Sequence, residues 1–259
     1  MHIEVVTLFP ELVRAALQFG VLGRAVERGI VRVGCEDPRG HTKDVHRTVD
    51  DRPYGGGPGM VLKPEPMTAA IDAAVARLPA GAPRVYLSAQ GVPFTQALAR
   101  EFSTLPGLLL VAGRYEGLDE RVIESRIDRE VSIGDYVLSG GEFPALVVLD
   151  AVARLLPGVL GDERSSVQES FDANLLDWPH YTRPVEFEGR TVPEVRIAGT
   201  AGSPGWPAST SGRVYCGYSS RPALWDSSST DVASPSTPGT NRATASITTS
   251  AASSPPDST

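Results

Sequence analysis

The sequence predicts an α/β fold, a mostly parallel sheet with helices on both of its faces. Short and almost wholly apolar segments, such as Ile3–Leu8 and Gly107–Ala112, alternate along the chain with longer segments of helical periodicity. Apolar strands that alternate with helices are typical of parallel sheets buried on both sides. The pattern ends at Pro157-Gly158, a pair that stops the last predicted helix.

Each predicted element has its own local pattern. The first strand is apolar almost from Met1, without the basic start of a signal peptide. Polar residues without a period from Asp162 to Pro179 predict a linker. The predicted strands, all short apolar runs, are Ile3–Leu8, Val31–Cys35, Arg84–Leu87 (after the turn Gly81-Ala82-Pro83), Gly107–Ala112 and Glu130–Ser132. The predicted helices are Pro10–Phe19, Val21–Arg28, Pro64–Arg77, Thr95–Phe102, Asp119–Ser125 and Glu142–Leu156.

The composition of the 259-residue chain divides it into two parts. Of the 60 residues from Thr200 to Thr259, 44 are Ser, Thr, Pro, Ala or Gly, and their charges cancel. The whole net charge of −7 therefore belongs to residues 1–199. Segments with so few apolar residues do not build a core, so the predicted folding unit is about 200 residues.

Several classes of protein are excluded or disfavoured. Cys35 and Cys216 are too few for a disulfide framework or a structural zinc site, and we expect a cytoplasmic protein. The most apolar stretch, Ala145–Leu160, is broken by charged residues and a proline, so no membrane span is expected. Acidic charge argues weakly against nucleic acid as a partner, although Arg39–Arg52 mixes basic and acidic residues and is also consistent with a solvated loop.

Three glycine-rich junctions are candidates for a ligand site. They are Gly55–Met60, Gly113–Gly117 and Ser132–Glu142, and the last two follow predicted strands. Glycine lets the backbone approach a ligand closely, and ligands of parallel sheets bind at the carboxyl ends of strands. None of the junctions matches a Rossmann fingerprint or a Walker A sequence, which disfavours both kinds of nucleotide site.

Four long segments of the chain resemble bacterial tRNA (guanine-N1)-methyltransferases, the TrmD family. They are His46–Met60, Gly113–Val122, Ser132–Glu142 and Leu175–Pro184, and the resemblance runs from about Ile3 to Val195. It implies a SPOUT-class methyltransferase with a deep trefoil knot that works as a homodimer. It also implies S-adenosylmethionine as the methyl donor and the guanine 3′ of a tRNA anticodon as the target. The family is associated with magnesium for activity, but no carboxylate cluster has clear ligand spacing, and no metal ligand is predicted.

The resemblance assigns the catalytic roles to Glu169 and Arg154. Guanine N1 carries a proton at neutral pH, so the reaction needs a general base. Glu169 stands where the family has an aspartate base and is one methylene longer; the alternative is a solvated linker residue. The resemblance implies that Arg154 bonds guanine O6, a contact that suits an arginine fork. The alternative for Arg154 is an ion pair with Asp150 on the same helix.

The resemblance also implies the binding residues. Main-chain groups of Ile133, Gly134, Tyr136 and Leu138 would read adenine, and Tyr115 and Glu116 would lie beside the methionine end. The complete set expected for the cofactor is Tyr86, Leu87, Ser88, Gly113, Tyr115, Glu116, Ile133, Gly134, Asp135, Tyr136, Val137, Leu138, Gly140 and Gly141. His46, Asp50 and Arg52 would help to place tRNA, and Asp177 would cover the site from the partner subunit.

The expected organisation has four parts: an S-adenosylmethionine-binding domain (1–161), an interdomain linker (162–180), the start of a C-terminal tRNA-binding domain (181–199) and a disordered tail (200–259). Relatives continue with a basic helical domain, whereas this chain becomes Ser/Thr/Pro-rich. A shifted reading frame near Gly199–Gly205 and a genuine disordered extension are both open explanations. Translating the other two frames of the gene would distinguish them. Without the basic helices, we expect cofactor binding with weak or absent methylation.

Three other functions remain open. One is a SPOUT RNA methyltransferase with a different target, and another is a catalytically silent protein that binds S-adenosylmethionine or RNA. A nucleotide-binding protein that uses Gly55–Gly59 is disfavoured because no phosphate-loop lysine accompanies these glycines. Methylation of a tRNA transcript, with mapping of the modified base, separates the first two from the leading prediction.

Overall fold

A computed structural model describes residues 1–161, 170–171 and 179–193 of the chain. Its strands are β1 (His2–Val6), β2 (Arg32–Glu36), β3 (Asp50–Asp51), β4 (Val61–Leu62), β5 (Arg84–Pro93), β6 (Gly107–Ala112), β7 (Arg129–Ser132), β8 (Glu186–Phe187) and β9 (Arg190–Thr191). Five of them form one sheet in the order β2-β1-β6-β5-β7, and every pair in it is parallel. The predicted parallel sheet is therefore confirmed.

Helices cover both faces of this sheet. They are α1 (Pro10–Ala16), α2 (Gly20–Glu27), α3 (Pro64–Val75), α4 (Gln96–Ser103), α5 (Glu120–Arg126) and α6 (Glu142–Ala153), with a 3-10 turn at Pro38–His41. Residues of α1, α2, α4 and α6 pack in the apolar core on one face. Residues of α3 and α5 pack in a second core on the other face. The expected three-layer α/β arrangement is confirmed.

The central strand β6 is buried along its whole length. Leu108 and Leu110 point into one core, while Leu109 and Val111 point into the other, as the alternation of side chains along a strand requires. Burying a leucine side chain contributes roughly 2 kcal/mol. The carboxyl end of β6 is therefore a firmly held base for the loop that begins at Gly113.

Some boundaries differ from the predicted ones. β5 continues through a bulge between Leu87 and Val92, where the sequence predicts that the strand ends at Leu87. α6 ends at Ala153 instead of Leu156. The hairpins β3–β4 and β8–β9 were not predicted, because strands of two residues are too short to show a period. Within the described residues, no helix is both long and apolar enough to cross a membrane.

The hairpin β3–β4 is joined to the loop after β6. Leu62 is fully buried, its N–H donates to the carbonyl of Gly117 over 2.9 Å, and its own carbonyl accepts from Asp119 over 3.2 Å. These bonds place the segment Gly55–Met60, which connects β3 to β4, next to the loop 113–118.

Candidate active site

Two of the predicted glycine junctions meet at the carboxyl edge of the sheet. One loop (113–118) follows β6, and the other (133–141) follows β7. The N–H of Gly141 donates to the carbonyl of Gly113 over 2.8 Å, which joins the two loops directly. Because ligands of parallel sheets bind at this edge, the contact creates a candidate site from segments 28 residues apart in the sequence.

Gly141 makes the close approach possible. A Cβ atom built on Gly141 would lie 2.7 Å from Cα of Ala112 and 2.8 Å from the nitrogen of Gly113. Both atoms belong to the main chain at the end of the central strand, so neither can move aside cheaply. Glycine is therefore required at this position for the two loops to touch.

Tyr86 lies beneath the loop 113–118. Its side chain is buried, and a Cβ built on Gly113 or Gly117 would come within 2.8 or 2.9 Å of its phenol oxygen. Burial raises the pKa of Tyr86, so the phenol remains protonated at neutral pH. Leu87 is also buried and Ser88 is half-buried, and both continue β5 at the same edge.

The segment Ile133–Leu138 lies open at this edge. Local hydrogen bonds hold it: the Tyr136 N–H donates to the Gly134 carbonyl over 3.0 Å, the Tyr136 hydroxyl donates to the Ile133 carbonyl over 3.3 Å, and the Gly134 N–H donates to Ser132 Oγ over 3.3 Å. The exposed residues are Asp135, Tyr136, Val137 and Leu138, with Gly140 half-buried beyond them. An open segment of this kind is compatible with the predicted main-chain recognition of adenine.

The third glycine junction reaches the same site through Glu116. Its N–H donates to the Met60 carbonyl over 2.9 Å, and its carboxylate lies against Gly59. The preceding residue, Tyr115, has φ of 59°, a left-handed conformation that costs a non-glycine residue roughly 1–2 kcal/mol. Strain of this size is typical of functional sites, and here it turns the chain so that Glu116 faces the glycine loop.

The residues predicted to place tRNA lie on the segment that leads into and out of β3. Asp50 is half-buried within β3, and His46 and Arg52 are exposed on either side of it. The hairpin that contains Asp50 is the one bonded to the loop 113–118. Their predicted roles in tRNA binding remain predictions.

Arg154 lies at the opposite end of α6 from the two joined loops. It is the C-cap of this helix, and its N–H donates to the Asp150 carbonyl over 3.1 Å. A helix of 12 residues is about 18 Å long. Within one chain, Arg154 therefore lies about the length of α6 away from Gly141. Glu169 and Asp177 lie outside the described residues.

A buried polar cluster next to the site was not anticipated. The carboxylate of Glu142 is fully buried and accepts hydrogen bonds from Thr7 Oγ1 over 2.8 Å and from Arg114 Nε over 2.9 Å. The sequence holds one signal for it, an acidic residue at the start of an otherwise apolar helix, but gives no hint of its partners. Among the described residues, no group of three or more His, Cys, Asp and Glu side chains is arranged to hold a metal ion.

A family model, curated relatives and a crystal structure of known proteins all match most of this chain. Residues 1–203 match the family model described as tRNA (Guanine-1)-methyltransferase TrmD. A tRNA (guanine-N(1)-)-methyltransferase of Methylococcus capsulatus is 60% identical over 199 residues, which are 77% of this chain and 79% of the relative. One of Aeromonas hydrophila is 56% identical over 199 residues, 77% of this chain and 80% of the relative. The crystal structure of tRNA (m1G37) methyltransferase from Aquifex aeolicus superposes with a TM-score of 0.64 at 40% identity, covering 77% of this chain and 83% of that one. The chain belongs to the tRNA (guanine-1)-methyltransferase TrmD family.

Proposed function

We propose that this tRNA (guanine-N1)-methyltransferase takes a methyl group from S-adenosylmethionine bound at the carboxyl edge of the sheet. It transfers the group to N1 of the guanosine 3′ of the tRNA anticodon. The observation that carries the proposal is the hydrogen bond from the Gly141 N–H to the Gly113 carbonyl, which joins loops 113–118 and 133–141 at the carboxyl edge of the sheet.

The residues at this edge fit S-adenosylmethionine. The donor supplies a methyl group on a positively charged sulfur. Glu116, an exposed carboxylate on the first loop, offers a negative charge that attracts this cation. Tyr86 and Leu87 provide an apolar base, and the open segment Ile133–Leu138 offers main-chain groups to the adenine. The remaining residues proposed for the pocket are Ser88, Gly113, Tyr115, Gly140 and Gly141.

Two side chains are proposed to act on the guanine. Glu169 accepts the proton that N1 must lose, as the carboxylate of an aspartate would in the same place. Arg154 donates to O6, where negative charge grows as that proton leaves, and a preorganised donor at such a position is worth more than in water. His46, Asp50 and Arg52 help to hold the tRNA, and Asp177 covers the site.

We propose a homodimer, because α6 exposes two apolar side chains on the face that also carries Asp150 and Arg154. Phe143 and Val147 are 51% and 46% exposed and lie one turn apart, and Arg154 follows on the same face. In a two-fold dimer the same patch serves both subunits. Antiparallel packing of two copies of α6 brings Arg154 of the partner subunit towards the Glu142 end, across the 18 Å that separates the two ends in one chain.

We also propose that residues 133–141 pass through a trefoil knot, as the resemblance implies. The support is the path of the chain. It leaves β7 at the edge of the sheet and returns to the end of the central strand β6, where the Gly141 N–H donates to the Gly113 carbonyl. True knots are rare, so this return path is the feature that distinguishes the fold from an ordinary α/β sheet.

The proposal extends to the rest of the chain and to its surroundings. Because residues 200–259 are rich in Ser, Thr and Pro instead of basic residues, this chain holds tRNA weakly, so turnover is slow although cofactor binding is retained. A tRNA-modifying enzyme works in the cytoplasm. In the part of the chain that the structure describes, no group of three or more His, Cys, Asp and Glu side chains could hold magnesium. Activity measured with and without a chelator tests whether magnesium is required.

Calorimetric titration of the full chain with S-adenosylmethionine is the first test, followed by methylation of a tRNA transcript and mapping of the modified base. We expect cofactor binding and slow methylation of guanosine N1. Methyl groups on another base would indicate a different RNA target, and cofactor binding without any methylation at saturating tRNA would indicate a silent relative. A chain that binds no cofactor would contradict the proposal.

A further inference from the structure

The buried carboxylate of Glu142 lies where the two loops of the candidate site are joined. We propose that Glu142 is a positioning residue for cofactor binding. It fixes the side chain of Arg114, and Arg114 in turn holds the end of the loop 133–141 against the loop 113–118. The inference rests on the proposed function at this site and assigns a role to residues that contact no reacting atom.

Both oxygens of Glu142 have a defined donor. Oε1 accepts from Thr7 Oγ1 over 2.8 Å, and Oε2 accepts from Arg114 Nε over 2.9 Å. The Glu142 side chain is fully buried, and only 18% of the Arg114 side chain is exposed. A buried carboxylate needs partners for its charge and its lone pairs, and here the positive partner belongs to the first loop of the site.

Arg114 connects this carboxylate to the second loop. Its Nη1 donates to the carbonyl of Ser139 over 3.0 Å, and its side chain occupies the space that a Cβ of Gly140 would need. Arg114 and Gly140 also form an isolated antiparallel bridge. The guanidinium therefore fixes the stretch just before Gly141, the residue that bonds the first loop.

A third segment closes the cluster from the end of β1. The Phe9 N–H donates to Thr7 Oγ1 over 2.9 Å, which leaves the Thr7 hydroxyl proton for Glu142. The guanidinium carbon of Arg114 lies 4.4 Å from the centre of the Phe9 ring, within the range of a cation–π contact. The cluster thus joins β1, the first loop and the start of α6 in a closed circuit of contacts.

The charge of Glu142 is the property that this arrangement needs. A glutamine can accept from Arg114 while donating to a reoriented Thr7 hydroxyl, so its shape is tolerated. It lacks the negative charge, and hydrogen bonds between neutral and charged groups are weaker than those between two charged ones. Glu142→Gln therefore tests the ion pair that fixes Arg114, with little change in side-chain volume.

The experiment measures the Kd for S-adenosylmethionine and the Kd for tRNA of the full chain and of its variants. We expect Glu142→Gln to raise the first Kd about tenfold. Arg114→Lys should have at least the same effect, because one ammonium cannot reproduce the planar fork. The Kd for tRNA should stay within twofold, which separates loss of loop position from general loss of structure.

Glu4→Gln is the matched control. Glu4 is a nearly fully buried carboxylate paired with Arg77, and it lies on the face of the sheet that α3 covers. This variant should lower the melting temperature and leave the Kd for S-adenosylmethionine unchanged. An equal rise in that Kd for Glu4→Gln and Glu142→Gln would overturn the proposal. Loss of any buried carboxylate charge would then weaken cofactor binding, whatever its position.

Phe9→Leu keeps the proposal testable if Glu142→Gln does not fold. The Phe9 ring is 44% exposed, so its replacement should leave the chain folded and raise the Kd for S-adenosylmethionine about threefold. Variants that bind the cofactor as tightly as the unaltered chain would refute the role of the cluster but leave the proposed function standing. An unaltered chain that does not bind S-adenosylmethionine would instead refute the proposed function.

Discussion

Replacement of Arg77 by glutamine should destabilise the fold on the face of the sheet away from α6. The Nη2 atom of Arg77 lies 2.6 Å from Glu4 Oε2, and its Nη1 lies 2.6 Å from Glu36 Oε2. Glu4 is 2% exposed and would keep only His2, whose Nε2 lies 2.8 Å from Glu4 Oε1. The substitution therefore removes the permanent positive charge from a buried carboxylate.

The expected loss of stability follows from this burial. Breaking a buried ion pair by removing one partner costs roughly 3–5 kcal/mol. The Arg77 side chain is 39% exposed, and water reaching the vacated position reduces the loss, so we expect about 2 kcal/mol. For a folding unit of this size, that corresponds to a fall in melting temperature of about 4–8 °C.

The destabilisation should also depend on pH. Burial pushes the pKa of Glu36 up, but hydrogen bonds from His41 and Arg77 outweigh it, and the net pKa is lowered. A carboxyl group with a lowered pKa in the folded state stabilises the fold above its unfolded pKa, and this contribution is lost as the pH falls through the folded pKa. The difference between the unaltered chain and Arg77→Gln should therefore narrow in acid.

Unfolding by urea, followed by circular dichroism at pH 7 and pH 4, measures both effects. Arg129→Gln is the control, because its pair with Glu101 is exposed on both sides (41% and 55%) and should contribute less than 1 kcal/mol. Equal and small losses for Arg77→Gln and Arg129→Gln would refute the reasoning about burial.

Three further predictions concern single residues. Gly141→Ala should raise the Kd for S-adenosylmethionine at least tenfold in a binding titration, because the added Cβ meets main-chain atoms of Ala112 and Gly113. Glu169→Ala should slow methyl transfer about 100-fold or more in single-turnover assays without changing cofactor affinity, since only the base is lost. Burial raises the pKa of the Cys35 thiol to about 11, so in a Cys216→Ser background the folded chain should resist alkylation at pH 8 and react after denaturation.

Each of these predictions has its own control. Gly40→Ala is matched to Gly141→Ala, because a Cβ at Gly40 meets nothing within 4 Å, and equal effects of the two would contradict the steric argument. Glu169→Asp should restore much of the rate lost in Glu169→Ala. A Glu169→Ala variant as fast as the unaltered chain would rule out Glu169 as the general base. Rapid alkylation of Cys35 in the folded chain at pH 8 would contradict the raised pKa of its thiol.

The sheet could be predicted because its signal is local. β6 is six consecutive apolar residues, and α6 follows a glycine junction and is apolar along most of its length, so both are visible in short windows. The order of the strands, with β6 between β1 and β5, depends on pairings between distant segments and was not predicted. Two-residue strands such as β3 offer no period at all.

The candidate site also has a part that could be predicted from the sequence and a part that could not. The glycine junctions were visible as composition, and the resemblance supplied the ligand and the roles of individual residues. The hydrogen bond between Thr7 and Glu142 joins residues 135 positions apart, and nothing in either neighbourhood indicates the other. Buried polar partners of this kind are fixed by the completed fold, because each must be satisfied by whatever donor the packing brings near.

The most direct test of the central claim is the position of the transferred methyl group. The full chain, in excess over a tRNA transcript, is incubated with S-adenosylmethionine labelled on the methyl, and the modified nucleoside is identified after digestion. The account predicts slow formation of N1-methylguanosine at the position 3′ of the anticodon, and none when that guanosine is replaced by adenosine. Label on another nucleoside, or none at saturating tRNA in a chain that binds the cofactor, would contradict it.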